Sequence, residues 1–454
     1  MRKPLVLFAG FMNSFLGTSV GYSAGIIHLG LLEKYREFPR EVSWAGALLT
    51  SFFSLAGPLS SAVINGLSCR SAIFLGSFLS FAGFFISSFV SDIKIVIICY
   101  GIIAGIGQSM TYSGTVVVTG YYFIDNPSLA TGIIATGAGI GVTVYPLFTE
   151  FLIQTYGISG SFLLLSAVSL QSCVFTMCVK TTELEKKRKG ERSETVTKQL
   201  KWVLLEFQRI ISNSAFCFYC VSILCWSISI NTSVLYLPEY YVSTGSTQTQ
   251  AATFMSIYGI TGCLSRILTG LAATDFNVDG KILYMGCFFI LGLSTIFLPV
   301  LGTFFSGKVF YSVILGLYSS GVWSLLSPIT IEMIGIKQLS TAFGMEMLTC
   351  GIGFLIGPVI GDRIKEGRGG YSILFIISGI LYMMAAVFEM FMILRMKGSA
   401  FQHARQEETN CIEVEEKTKK DELIEKSSKS ESLLGSSDDT NLEEQQHLND
   451  GDTC

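Results

Sequence analysis

The sequence predicts an all-α membrane protein of twelve transmembrane helices, arranged as two parallel six-helix repeats. Three observations predict it: an apolar composition, twelve apolar stretches of spanning length, and a pattern that returns in the second half. Half of the 454 residues are hydrophobic and only 14% are charged, for a mean hydropathy of +0.54. That is well beyond a soluble domain. Crossing about 30 Å of hydrocarbon takes roughly 20 mostly apolar residues. Such stretches fall at 5-32, 43-66, 71-91, 95-118, 129-153, 160-179, 214-237, 249-271, 281-303, 308-334, 340-361 and 371-395.

The first stretch opens MRKPLVLFAGF. Its apolar run continues past signal-peptide length without a small-residue cleavage site, so it reads as a retained helix. Helix 4 carries Gly101-xxx-Gly105, the small-residue spacing that lets helices approach closely in lipid. Between helices 6 and 7, KTTELEKKRKGERSETVTKQLK (180-201) holds eight basic residues. With an even helix count, the positive-inside rule puts this loop and both termini in the cytoplasm. The twelve cysteines are scattered, most of them inside the predicted helices, and suggest no disulfide framework. Cys217 and Cys220 make a CxxC in helix 7 without a second ligand pair, and read as packing. Asn231-Thr-Ser in helix 7 is a formal glycosylation sequon that a buried position should leave unmodified. The last 55 residues are rich in Glu, Asp, Ser and Lys, read as disordered, and supply most of the net charge of -3. The expected organisation is a six-helix bundle at 1-179, a basic loop at 180-213, a second bundle at 214-397 and an acidic tail at 398-454.

A shift of 212 positions aligns SLATGIIATGAGIGVTVYP (128-146) with STAFGMEMLTCGIGFLIGP (340-358), matching seven positions that include Gly132/Gly344, Gly139/Gly351 and Pro146/Pro358. A shift of 205 lays GPLSSAVINGL (57-67) over GCLSRILTGL (262-271). Helices 5 and 11 are therefore counterparts, as are helices 2 and 8. Two parallel halves predict a substrate site near the midplane between them. The string GAGIG lies inside a span with no preceding strand, so it is not a dinucleotide loop. No hydrolytic triad, metal cluster or nucleotide loop is present in the pattern. Neither an enzyme, a cofactor nor a nucleic-acid partner is expected.

The stretches GYYFIDNPSLATGIIATGAGIG (120-141), GISGSFLLLSAV (157-168), VLYLPEYYVSTG (234-245) and IEMIGIKQLSTAFG (331-344) resemble the monocarboxylate transporter family of the major facilitator superfamily. The likeness runs through nearly all of the membrane part. It implies a plasma-membrane carrier working by alternating access, a helix 8 arginine that binds the substrate anion, and a cavity lined by helices 1, 4, 7 and 10. It leaves open a single-span ancillary glycoprotein partner, which some relatives need. Three departures stand out. The helix 1 start, KPLVLFAGF, lacks the acidic, Gly and Trp motif; residues 124-128 lack the basic residues usual there; and Gly262 stands where lactate-type members are similar in having an aspartate.

Arg266, in IYGITGCLSRILTGL, is the leading site candidate. An arginine at the centre of a span costs about 2.5 to 3.5 kcal/mol on insertion scales, so it faces a cavity or a partner. Its planar fork takes both oxygens of a carboxylate, and Gly262, Cys263, Thr269 and Gly270 leave room beside it. A buried acid such as Glu346 is the alternative partner. His28 is the histidine of the membrane part, and imidazole is the side chain chemically suited to a proton sensor or a neutral hydrogen-bond donor. The branch that moves thyroid hormones and aromatic amino acids is similar in having a histidine in this region. Tyr22, Gln108, Tyr112, Asn231, Tyr236, Ser320 and Trp323 are orienting candidates on the cavity helices, and His28 and Glu346 are candidates for proton coupling, with Glu389 behind them. The expected substrate is a monocarboxylate or a related carboxylate-bearing small molecule. Aromatic amino acids, thyroid hormones and creatine-like or carnitine-like zwitterions stay open, as does a non-transporting sensor with the same fold.

Overall fold

A computed structural model describes residues 2–182, 185–186, 205–275, 277–366 and 370–397. The acidic tail and the centre of the basic loop lie outside the described residues. Among those described there is helix and no strand. Helix α1 runs Arg2–Met12, passes through a wide π turn (Asn13–Thr18) and a tight turn (Ser19–Ser23), and resumes over Ala24–Lys34. Helix α2 comprises Pro39–Leu55 and Gly57–Gly66, bent by 45° between them. The bend falls at Pro58, whose missing N–H breaks the ladder. Then come α3 (Cys69–Phe89) and α4, which reaches Tyr122 through Ile93–Val96, a π segment at Ile97–Ile103, and Ala104–Tyr122. Pro127–Thr176 is continuous helix except at Gly157, where φ is 69°. Only glycine takes that conformation cheaply, and it divides the run into α5 (127–156) and α6 (158–176).

The remaining helices are α7 (Ser214–Ser243), α8 (Gln248–Ala272), α9 (Gly280–Ile296, continued by Leu298–Leu301), α10 (Phe305–Ile334), α11 (Leu339–Glu366) and α12 (Gly370–Lys397). Nine described helices are long and apolar enough to cross a membrane, and the bent α2 makes a tenth. The Gly157 break and the shorter α9 complete the twelve. Polar residues mark the ends. Ser68, Asp92, Asn213 and Asp279 cap α3, α4, α7 and α9, and Thr247 with Gln250 forms a capping box on α8. Lys308 closes the far end of α7, donating to the Thr244 carbonyl at 3.1 Å and Ser246 Oγ at 2.7 Å.

The first and last six helices meet where the repeat says they should. A Cβ at Gly132 on α5 would sit 2.6 Å from the Arg266 carbonyl oxygen of α8, and one at Gly344 on α11 would sit 2.7 Å from Ser61 Cβ of α2. Backbones at that separation pack by van der Waals contact, the force available between helices in lipid. Gly132 and Gly344 are counterparts under the 212-residue shift, and Ser61 and Arg266 under the 205-residue shift. The two crossings are thus repeats of one another, with Arg266 standing where the other has Ser61. The α2–α11 crossing continues to Asn65, whose Nδ2 donates to Thr341 Oγ1 at 2.9 Å. Gly120 of α4 packs on Leu339 and Ile331. These contacts close the face on which α1 begins, here the terminal face.

Candidate functional site

Tyr258, Gly262 and Arg266 recur every four residues and so share one face of α8. Gly262 lies against Ser320 of α10, where a Cβ would meet Ser320 Oγ at 2.5 Å. On the other flank the Arg266 guanidinium rests on Gly139 of α5, and Nη1 donates to the Ala135 carbonyl at 2.8 Å. The Arg266 carbonyl accepts from Ser324 Oγ of α10 at 3.1 Å. The arginine backbone is therefore clamped between α5 and α10.

Arg266 is 6% exposed, and its Nε has no hydrogen-bond partner among the described residues. A guanidinium carries five N–H donors, so one backbone carbonyl leaves most of the fork unused. Two phenols lie within electrostatic reach of it, Tyr112 of α4 and Tyr258 of α8, and each of them is in reach of Tyr22 of α1. Cys263 lies there too. Tyr112 is buried, and its ring meets Trp323 of α10 edge-on at 6.1 Å, Phe53 of α2 at 5.5 Å and Phe343 of α11 at 6.1 Å. Trp323 in turn meets Trp226 of α7 at 5.3 Å. A helical side chain points back toward the N-terminus of its helix, so the guanidinium rises from the terminal face toward this aromatic cluster. The result is a charged fork bordered by phenols and indoles, able to take an anion at one end and an apolar or aromatic body at the other.

Arg266, Tyr22, Tyr112, Ser320 and Trp323 are brought together. The irregular turns of α1 place Tyr22: Gly21 abuts Oε1 of the buried Gln108, and Tyr22 remains 45% exposed. Wide π turns recur at functional sites. Asn231 and Tyr236 are engaged elsewhere. Asn231 Nδ2 donates to the Phe354 carbonyl at 2.6 Å, and the Tyr236 hydroxyl donates to the Pro358 carbonyl at 3.0 Å and Asp362 Oδ1 at 2.7 Å. The Phe354 carbonyl is the one that Pro358 deprives of its helical donor. Asn231 supplies that donor from α7. His28 is half-buried on α1, six residues past Tyr22 and so roughly 9 Å nearer the far face. Glu346 takes its hydrogen bond from Thr330 Oγ1, while the described partner of Arg266 is Ala135. Tyr258 was not among the sequence candidates. Its four-residue spacing from Gly262 and Arg266 is the signal that finds it.

The Major Facilitator Superfamily model matches residues 5–312. Monocarboxylate transporter 6 of Homo sapiens is 24% identical over 399 residues, covering 85% of this chain and 79% of that relative. Monocarboxylate transporter 12 of Mus musculus is 26% identical over 372 residues, covering 76% of each. Among solved structures, the E. coli fucose:proton symporter FucP superposes with a TM-score of 0.66 at 13% identity, over 86% of this chain and 99% of that one. The proton:xylose symporter XylE gives 0.63 at 15% identity, over 85% and 95%. At these identities the solved structures establish the fold.

Proposed function

Since the chain belongs to the major facilitator superfamily and, within it, to the monocarboxylate transporter family, we propose that it carries a carboxylate-bearing small organic molecule across the plasma membrane by alternating access. It is a multi-pass secondary transporter and not an enzyme. The bundles at 1-179 and 214-397 rock about the midplane, with the 180-213 loop, the 398-454 tail and both termini in the cytoplasm. The terminal face is then the cytoplasmic one, and its closure by the α2–α11 and α5–α8 crossings supports an outward-facing state.

The observation that carries the substrate class is the buried Arg266 guanidinium, held on one side by the Ala135 carbonyl with donors left over. A buried cation without an anion is costly, and a substrate carboxylate supplies one with bidentate geometry. The rings of Tyr22, Tyr112, Tyr258 and Trp323 favour a second reading of the same site, in which the carboxylate belongs to an aromatic amino acid or thyroid hormone. Uptake into proteoliposomes of lactate, phenylalanine, a thyroid hormone, creatine and carnitine, with and without a pH gradient, tests both. Binding of these ligands with neither uptake nor exchange would instead identify a sensor.

A further inference from the structure

Two buried carboxyl groups play no part in the Arg266 site. Glu346 on α11 is 1% exposed and Glu389 on α12 is fully buried. Thr330 Oγ1 of α10 donates to Glu346 Oε1, whereas Glu346 Oε2 and both oxygens of Glu389 have no well-formed hydrogen bond among the described residues. The two acids lie within electrostatic reach of one another. Beside them are Tyr219 of α7 and Tyr284 of α9, both fully buried, with ring centroids 5.9 Å apart and each within reach of both glutamates. Among the described residues the Tyr284 hydroxyl makes no well-formed hydrogen bond, and that of Tyr219 makes a long bond of 3.4 Å to the Leu326 carbonyl.

Other helices complete the surroundings. Cys220 of α7 and Cys350 of α11 flank Glu346, and Ser222 of α7 lies beside Glu389 while donating to the Ala385 carbonyl at 2.9 Å. Among the described residues the cation that reaches the cluster is Lys281, one turn before Tyr284 on α9. Its Nζ pairs with Glu332 and, at 3.4 Å, with Asp279. All three line a cavity of about 520 Å³ on the terminal face. At the other end Tyr112 is within reach of both Cys350 and Arg266. A row of titratable groups thus leads from the terminal face to the substrate site.

Ionisable groups inside a membrane are expensive, and acids kept there mark ion or proton pathways. Two like charges in reach of one another repel, and one shared proton relieves that. A hard metal cation would need roughly six oxygen ligands, and no described group of three or more His, Cys, Asp or Glu could hold a metal. We propose that Glu346 and Glu389 carry the coupling proton of this transporter, exchanging it with water at the terminal-face cavity past Lys281 and with the substrate site past Cys350 and Tyr112. The step is proton transfer alone: a carboxylate oxygen takes a proton from water at one face and returns it to water at the other. No bond to the substrate is made or broken.

The proposal rests on the transport reading, so its test separates the two. Full-length protein in proteoliposomes is assayed for counterflow of lactate, phenylalanine and carnitine without a gradient, and for their accumulation under an imposed pH gradient. Infrared difference spectra between acid and alkaline forms of the purified protein need no substrate. E346Q and E389Q should keep the counterflow of the wild type, lose gradient-driven accumulation, and each lose a carboxyl band. Y284F, which keeps both acids, should retain both bands and counterflow while slowing substrate-driven proton entry. Accumulation retained by either glutamine variant, spectra unchanged in both, or a wild type that exchanges a probe but ignores the gradient overturns the proton pair. A wild type that exchanges none of the probes counts against the transport reading, and the infrared result still decides whether the pair binds protons.

Discussion

Replacing Arg266 by lysine keeps the charge and removes the fork, which isolates geometry from electrostatics. In the structure Nη1 is committed to the Ala135 carbonyl at 2.8 Å, leaving the other donors for an anion. A lysine ammonium is a compact point charge on a chain of similar reach. If it stays on Ala135 it meets the substrate poorly, and if it turns to the substrate it strands a buried carbonyl. Either way one charge-assisted hydrogen bond is lost, about 1.5 to 3 kcal/mol. At 1.4 kcal/mol per decade that is roughly a tenfold to hundredfold rise in the half-saturating substrate concentration. The assay is counterflow in proteoliposomes at matched protein amounts, with R266M as the charge-free control and a thermal-shift measurement on each variant. Half-saturation for R266K equal to wild type would refute the bidentate role. A normal R266M would remove the arginine from the site altogether.

Four further outcomes follow from the packing. Gly262→Asp should lower transport, because its Cβ would meet Ser320 Oγ at 2.5 Å and Ser320 Cβ at 3.2 Å, and Ser320→Gly in the same chain should recover part of it in the uptake assay. Gly57→Val places a Cβ 2.4 Å from the Gly344 carbonyl, backbone that cannot turn aside. Overpacking of about 1 to 3 kcal/mol should lower the melting temperature and expose Asn65→Cys to thiol reagents. Lys308→Met strips donors from the Thr244 carbonyl and Ser246 Oγ at the end of α7. A thermal shift equivalent to about 1 to 3 kcal/mol is expected, with half-saturation unchanged. Asn231→Gln should leave glycan-dependent gel mobility unaltered, since that amide is spent on the Phe354 carbonyl inside α7–α11 packing.

Much of the fold is legible in the sequence because a bilayer forces every backbone polar group to pair within its own segment. Apolar length alone therefore locates α1 to α12, and the repeated glycines of 128-146 and 340-358 identify the helices whose backbones touch. Arg266 is legible for a related reason: a permanent charge in an apolar run needs a partner wherever the helix stands. Its neighbours are less so. Asn231 and Tyr236 look like Tyr112 and Trp323 in the sequence, being polar or aromatic residues on cavity helices. Pro358 decides the fate of Asn231 by freeing a carbonyl on a helix more than a hundred residues away, and Tyr236 is held by the Pro358 carbonyl and Asp362 of the same helix.

What the sequence by itself determined is the set of spans, the pairing of helices 2 with 8 and 5 with 11 as counterparts, and the residue whose permanent charge needs a partner inside the membrane. Tertiary structure alone decided which groups surround that residue and which acids lie apart from it. Glu346 stood as an alternative partner for Arg266, yet it takes its hydrogen bond from Thr330 of α10 and shares Tyr219 of α7 and Tyr284 of α9 with Glu389. The physical reason is that hydropathy sets only how far along the membrane normal a residue lies. The direction a side chain takes around its helix axis is fixed by contacts between helices distant in sequence.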